Sequence, residues 1–270
     1  MGFYITVEPS VKIFVEELGP KNGKPILFVH GWPLNRKMFE YQFDQIPNAG
    51  YRCIRMDLRG FGSSDKPWTG YSYDRMADDI RIVIDTLKLK NLILVGYSMG
   101  GAIVIRHMVR HAGQNISKLV LMGAAAPVFT KRPGYPYGMT KEQVNKLIQA
   151  TYTDRPKMLE EFGDLVFEQP ISDSFKSWFH GLGLEASGHA TAMTAMSLRD
   201  EELWNDMHKI HVPTGIFHGV KDKICPFEFA QVQHAQINGS KLFSFNKSGH
   251  GIFYCELEKF NREFLRFVSG

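Results

Sequence analysis

No stretch of this sequence approaches the ~18 uninterrupted apolar residues that a membrane-spanning helix requires. The N-terminal MGFYITVEPS also lacks the basic start and continuous apolar run of a secretion signal. The expected location is therefore the cytoplasm, with no membrane partner. Residues 2–6 meet the loose pattern for N-myristoylation, but no polybasic second signal follows, and the segment suits a strand better. Cysteine is scarce and odd in number. Cys53, Cys225 and Cys255 lie far apart, which fits reduced, buried thiols rather than a disulfide framework, and the N-x-S matches at Asn115, Asn238 and Asn246 then carry no meaning. No block of like charge occurs either: 32 basic and 28 acidic residues are scattered along the chain and leave a formal +4. Without a basic stripe interleaved with aromatics, nucleic acid is not an expected partner. Internal repeats and low-complexity tracts are absent.

The 270 residues, 44% of them hydrophobic, suffice for one large core with room for an insertion. Residues 3–7 and 11–15 are β-branched and aromatic runs around Pro9-Ser10, which predicts an antiparallel hairpin. Beyond residue 24 the pattern changes to short apolar runs without alternation, at 26–29, 51–56, 92–95, 119–122, 214–217 and 242–245. Such runs are what strands covered on both faces require. Between them, residues 73–87, 99–111 and 256–267 carry apolar residues three or four apart and predict helices. Strand and helix in repeated order predict an α/β fold with a mostly parallel sheet and helices on both faces. The alternation breaks at residues 128–205, which open with several prolines, are rich in aromatics and methionine, and contain no convincing buried strand. A helical insertion is expected there. Because ligands bind beyond the carboxyl ends of strands in open parallel sheets, an insertion entering at that end makes a lid.

GYSMGG occupies residues 96–101, directly after the run 92–95. A sharp turn from strand to helix forces its central residue into a strained conformation and brings the residues two positions either side so close that a Cβ would clash, which accounts for Gly96 and Gly100. The turn lifts the Ser98 hydroxyl to the rim of the sheet and leaves the Met99 N–H at a helix start, where negative charge is favoured. Serine is a weak nucleophile without a base. His250, in SGHG after the last predicted strand, is the best placed of ten histidines. The imidazole needs a carboxylate to hold one tautomer and to stabilise its charge, and Asp222 follows the run 214–217. Asp200 and Asp206 follow no predicted strand. The loop after 26–29, His30-Gly31-Trp32-Pro33, offers the Trp32 N–H as a second donor to a developing oxyanion, whereas Pro33 has none to give.

Other matches fail their context. Gly60-Phe61-Gly62 has no third glycine and opens no helix at once, so it is not a dinucleotide fingerprint. His107 and His111 lie four apart on a predicted helix, but the glutamate of a zinc-binding H-E-x-x-H is missing, and both are expected to pack. Asp57-Leu58-Arg59-Gly60 reads as a structural loop that buries an ion pair.

Taken in order, HGWP at 30, DLRGFGSSDKP at 57, GYSMGG at 96, VPTGIFHGVKD at 212 and SGHG at 248 resemble the α/β-hydrolases across the whole chain except the insertion. More narrowly, HGWPL, RGFGSSDKP, GYSMGG and LVLMGAAAPV are similar to the bacterial aryl esterases, perhydrolases and cofactor-free haloperoxidases. The resemblance implies an α/β-hydrolase fold with a mostly parallel eight-stranded sheet, an N-terminal antiparallel hairpin and a helical lid. Residues 1–127 and 206–270 would form the core, and 128–205 the cap. It also implies a catalytic triad of Ser98, Asp222 and His250, with the N–H groups of Trp32 and Met99 as oxyanion hole. Pro33 stands where the subgroup's perhydrolases carry proline. The chain departs from its relatives at Val220 and Lys221, where polar or acidic residues are common, and at Gly215, where a larger residue is usual. Those departures leave the Asp222 position intact.

The expected activity is hydrolysis of small apolar carboxylic esters or lactones through an acyl-enzyme, with perhydrolysis as a side activity and no cofactor or metal. The expected partner is a small-molecule ester, and homo-oligomer formation is left open. Trp178, Phe179, Met193 and Met196 suit a lid core with some members facing the pocket, so Trp178 and Phe179 join Trp32 and Pro33 as expected substrate contacts. A dehalogenase or epoxide hydrolase would need aspartate in place of Ser98. A carbon-carbon bond hydrolase or a lyase could use the same triad, and a ligand-binding receptor could keep the fold without catalysis.

Overall fold

The structure, a computed structural model, describes residues 2–270. β1 (Gly2–Glu8) and β2 (Val11–Leu18) pair antiparallel around Pro9 and Ser10. In β2, Val11, Ile13 and Val15 are buried while Lys12 is exposed, the alternation of a sheet wet on one face. From β3 (Lys24–Val29) the chain passes through α1 (Glu40–Gln45) to β4 (Tyr51–Met56), through α2 (Tyr73–Thr86) to β5 (Leu92–Tyr97), and through α3 (Met99–Arg110) to β6 (Ile116–Met122). There follow α4 (Lys141–Thr153), α5 (Arg155–Asp164), α6 (Asp173–Leu184) and α7 (Gly188–Asp200). The chain then returns to the sheet with β7 (Thr214–Gly219), α8 (Phe227–Gln236), β8 (Lys241–Phe245), α9 (Ile252–Cys255) and α10 (Leu257–Ser269).

The eight strands lie in the order β1-β2-β4-β3-β5-β6-β7-β8. β2 is antiparallel to both of its neighbours, and from β4 to β8 every pair is parallel. Each residue of β5 and of β7 is buried, because helices cover both faces; this is why their sequences lack alternation. β4 lies on one side of β3 and β5 on the other. The chain therefore reverses its progress across the sheet at β3, and in open parallel sheets ligands bind beyond the carboxyl ends of the strands at such a reversal.

α10 closes one face, burying Phe260, Phe264 and Phe267 among Phe217, Phe243 and Phe245. Gly215 belongs to this packing. A Cβ there would lie 2.8 Å from the Phe217 ring and 3.0 Å from that of Phe267, so the smaller residue makes room for the larger ring.

Residues between β6 and β7 add only helices, with isolated bridges such as Val128 to Glu202. α4 begins with a capping box in which Thr140 and Gln143 satisfy each other's backbone N–H. Side chains from outside reach into this segment, among them the Trp32 indole, which donates to the Thr191 carbonyl at 2.9 Å, and the Asn35 amide, which donates to that of Leu182 at 3.0 Å. Among the described residues no helix is long and apolar enough to cross a membrane.

Candidate active site

Ser98 joins β5 to α3 with φ 53° and ψ −119°, a backbone region that costs a non-glycine residue about 1–3 kcal/mol. Surrounding bonds impose it. The Ser98 N–H donates to Met122 O at 2.9 Å, and Ser98 O accepts from Ala125 N at 3.0 Å. A Cβ on Gly96 would stand 2.5 Å from Gly100 O, and one on Gly100 would drive into the carbonyl oxygens of Val29 and His30. Both glycines thus let a helix start directly over two strand ends, as the spacing of GYSMGG predicts.

The loop after β3 is held from beneath by His30. Its Nε2 accepts from Leu58 N at 2.9 Å, so Nδ1 carries the proton and donates to Gly31 O at 2.9 Å. Burial pushes the imidazole below its ordinary pKa against the opposing pull of Asp57 and the Gly31 bond, which favours this neutral, proton-on-Nδ1 form. Gly31 is pressed against the Ser98 turn: a Cβ on it would lie 2.8 Å from Ser98 Cβ. Trp32 is buried, its ring edge-on to Phe162 with centroids 4.8 Å apart. Among the described residues neither the Trp32 N–H nor the Met99 N–H reaches a protein acceptor. Met99 is the first residue of α3, where the aligned peptide dipoles favour an anion.

Asp222 sits on the turn after β7. Its Oδ1 accepts from Ile224 N at 2.9 Å and Cys225 N at 2.8 Å, and its Oδ2 accepts from His250 Nδ1 at 2.6 Å. Burial by itself would raise the carboxyl, but the attraction of His250 and the hydrogen bonds of His218 and His250 outweigh it and hold Asp222 well below the usual carboxylate range. His250 is braced from its other sides: the Tyr97 ring centroid is 4.7 Å from its own, the Tyr97 hydroxyl donates to its carbonyl at 3.3 Å, and Gly251 N donates to Val166 O at 2.8 Å. Gly123, with φ 51°, leaves space beside the pair, since a Cβ there would stand 3.1 Å from His250 Nδ1. Burial first and the Asp222 charge second push the Cys225 thiol far above its ordinary value, opposed by contact with the Ser98 side chain.

Three loops leaving β3, β5 and β7 therefore meet the loop after β8. Asp222 and His250 are in direct contact, and Ser98 borders the same pair through Tyr97, Gly123 and Cys225. No hydrogen bond joins the Ser98 hydroxyl to His250 among the described residues. Of the expected substrate contacts, Pro33 and Phe179 wall one small cavity with Leu34, Leu159, His180 and Gly183. Trp178 is half-buried and its ring packs on Phe175. Asp57 and Arg59 do bury ion pairs, but with other partners than each other: Asp57 pairs with Arg36 at 2.5 Å and Arg59 with Asp79 at 2.6 Å. His107 donates from Nδ1 to Ala77 O at 3.0 Å, and His111 Nε2 lies 2.9 Å from Asp78. His218, Tyr97, Gly123 and Cys225 were not legible as site residues. Only the position of His218 four residues before Asp222, at the end of a buried strand, could have pointed to one of them.

A family model described as alpha/beta hydrolase fold matches residues 24–256. The chain is 52% identical over 270 residues to the AB hydrolase superfamily protein YisY of Bacillus subtilis (strain 168), covering 100% of both. It is 30% identical over 279 residues to the bifunctional esterase/perhydrolase DCH of Acinetobacter calcoaceticus, covering 99% of each. Among solved structures, the esterase EaEST from Exiguobacterium antarcticum superposes with a TM-score of 0.98 at 49% identity, covering 100% of both chains.

Proposed function

The chain belongs to the α/β-hydrolase family, and from that premise we propose that it is a serine carboxylic ester hydrolase acting on small apolar esters, lactones included, through an acyl-enzyme on Ser98. The observation that carries this reading is the 2.6 Å contact between His250 Nδ1 and Asp222 Oδ2, beside a strained serine and two N–H groups that lack protein acceptors. Similarity to proteins named as esterases supports it from outside the site.

With Nδ1–H given to Asp222, the lone pair of His250 is at Nε2, and in this reading it is the acceptor for the Ser98 hydroxyl proton. Ser98 Oγ then attacks the ester carbonyl as Nε2 takes its proton, and the adjacent Asp222 charge stabilises the imidazolium without itself being protonated. The Trp32 and Met99 N–H groups receive the developing oxyanion, each donor contributing roughly a hundredfold to a thousandfold in rate. His250 returns the proton to the departing alcohol. Water, deprotonated by His250, attacks the acyl-enzyme and releases the acid. Hydrogen peroxide in the same position releases a peracid, an arm supported by Pro33 beside the oxyanion loop and by similarity to an esterase/perhydrolase. Residues 128–205 act as a cap over a core of 1–127 and 206–270, with Trp32, Pro33, Trp178 and Phe179 facing the substrate.

The test is a panel of aryl esters, lactones and amides, with and without peroxide, on the wild type and Ser98→Ala, together with labelling by a serine-directed fluorophosphonate. Ester turnover and labelling that vanish in Ser98→Ala are expected. Ester turnover that survives the substitution rejects Ser98 as nucleophile, and a wild type that neither turns over esters nor labels rejects the enzyme reading.

A further inference from the structure

His218 is the residue of this site to which the mechanism assigns no task. It occupies the end of β7, is 0% exposed, and its Nε2 lies 2.7 Å from Cys225 O and 3.4 Å from Asp222 Oδ2. A carbonyl can only accept, so Nε2 carries the proton, and Nδ1 is left as a buried acceptor with no partner among the described residues. A buried acceptor without a partner is destabilising. Leucine or phenylalanine would fill this space, against Phe227 whose ring centroid is 6.0 Å away, and remove that unpaired nitrogen, but would take the donor from the Cys225 carbonyl. The imidazole is therefore explained by what its one N–H does.

That N–H acts on Asp222 in two ways. It clasps the Cys225 carbonyl, closing the turn whose N–H groups at Ile224 and Cys225 grip Oδ1. The same nitrogen also stands 3.4 Å from Oδ2, the oxygen that accepts from His250, so the positive end of its N–H dipole lies beside the carboxylate. One oxygen of the carboxylate is fixed by the turn, and the other is left to His250 with His218 at its flank.

Resting on the reading of Ser98, Asp222 and His250 as a triad, we propose that His218 is a positioning residue: its Nε2–H sets the placement of Asp222 Oδ2 and thereby the orientation of His250. A displaced imidazole slows proton transfer from Ser98 while leaving substrate binding alone, so the loss falls on kcat. Misplacement of a reacting group by about 1 Å costs on the order of a hundredfold, which bounds the effect.

The conservative variant is His218→Gln, whose side-chain amide puts an N–H near the position of Nε2; His218→Phe removes it. With an aryl acetate as substrate, His218→Phe is expected to lower kcat about 10- to 100-fold with KM within about threefold, and to slow fluorophosphonate labelling in parallel. His218→Gln is expected to recover most of both. In proton NMR, the far-downfield resonance of the His250 Nδ1–H, assigned by its loss in Asp222→Asn, should persist in His218→Gln and shift or broaden in His218→Phe. Thermal melts establish that each variant is folded, and His218→Asn, too short to reach Cys225 O, replaces His218→Phe if the latter is not.

A folded Phe or Asn variant with wild-type kcat and an unmoved resonance overturns the proposal. So does equal impairment of the Gln and Phe variants, or a loss confined to KM. These outcomes are separable from failure of the triad itself, which would appear as turnover in Ser98→Ala whatever stands at 218.

Discussion

Oδ2 of Asp222 stands 2.6 Å from Nδ1 of His250, with the two side chains 0% and 3% exposed. Burial strengthens this charge-assisted hydrogen bond by excluding water from both partners, while the N–H groups of Ile224 and Cys225 keep the other carboxylate oxygen occupied. The imidazole is thereby confined to one tautomer, with Nε2 free to act as base.

Replacing Asp222 by Asn keeps the shape and removes the charge, and the amide can present an N–H to Nδ1 so that the proton moves to Nε2. Asp222→Asn is expected to lower kcat by roughly a thousandfold to ten-thousandfold with little change in KM. Steady-state kinetics on an aryl ester check it. A loss under tenfold would remove Asp222 from the triad.

His107 makes stability depend on acid. Burial pushes its pKa from 6.5 down to about 4, the bond to Ala77 O and the nearby Asp78 opposing while His111 and Arg81 add to the shift. The native state therefore binds fewer protons than the unfolded chain in this window. The contribution is whole above pH 6.5 and is lost as the pH falls toward 4. Its full size is about 3 kcal/mol at most. Urea titrations across this range should show a steeper loss of stability in the wild type than in His107→Leu, and parallel curves would refute the shift.

Gly100→Ala places a methyl group against the carbonyl oxygens of Val29 and His30. Backbone cannot yield as a side-chain tip can, so β3 and α3 must separate at the point where the loop after β3 meets the Ser98 turn. The expected result is a loss of about 2–4 kcal/mol in stability together with esterase activity. Calorimetry and turnover measure the two, and a variant with an unchanged melting temperature would show that the contact is slack.

The three thiols should differ in reactivity. Cys53 and Cys225 are 0% exposed, and burial raises the Cys53 thiol to about 12 and pushes that of Cys225 well above its ordinary value, whereas Cys255 is half-buried and also raised by burial. Thiolate is the reacting species. Iodoacetamide on the native protein should modify Cys255 alone, and Cys255→Ser should abolish labelling until denaturant is added. Prompt native modification of Cys225, read by peptide mass, would contradict its burial beside Ser98.

Much of this molecule is local, and local features are written in residue order. Continuous apolar runs marked the strands covered on both faces; Gly96 and Gly100 marked a turn too tight for a Cβ; and the loops carrying Trp32, Asp222 and His250 were each identified as the segment following a strand. α8 escaped because its buried side includes Gln233, whose amide donates to Ala124 and Ala126 carbonyls, so no apolar stripe announces the helix.

Sequence by itself determined the order of strands and helices, the strained serine and the short list of loops that could supply a base and an acid, since each depends on sterics and burial within a few neighbouring residues. Only the tertiary structure decided that Arg36 rather than Arg59 pairs with Asp57, that Gly215 yields space to Phe267, and that His218, Tyr97, Gly123 and Cys225 surround the Asp222–His250 contact. Those are choices among partners far apart in the chain. They follow from where the sheet brings its strand ends together, and no spacing in the sequence records that distance.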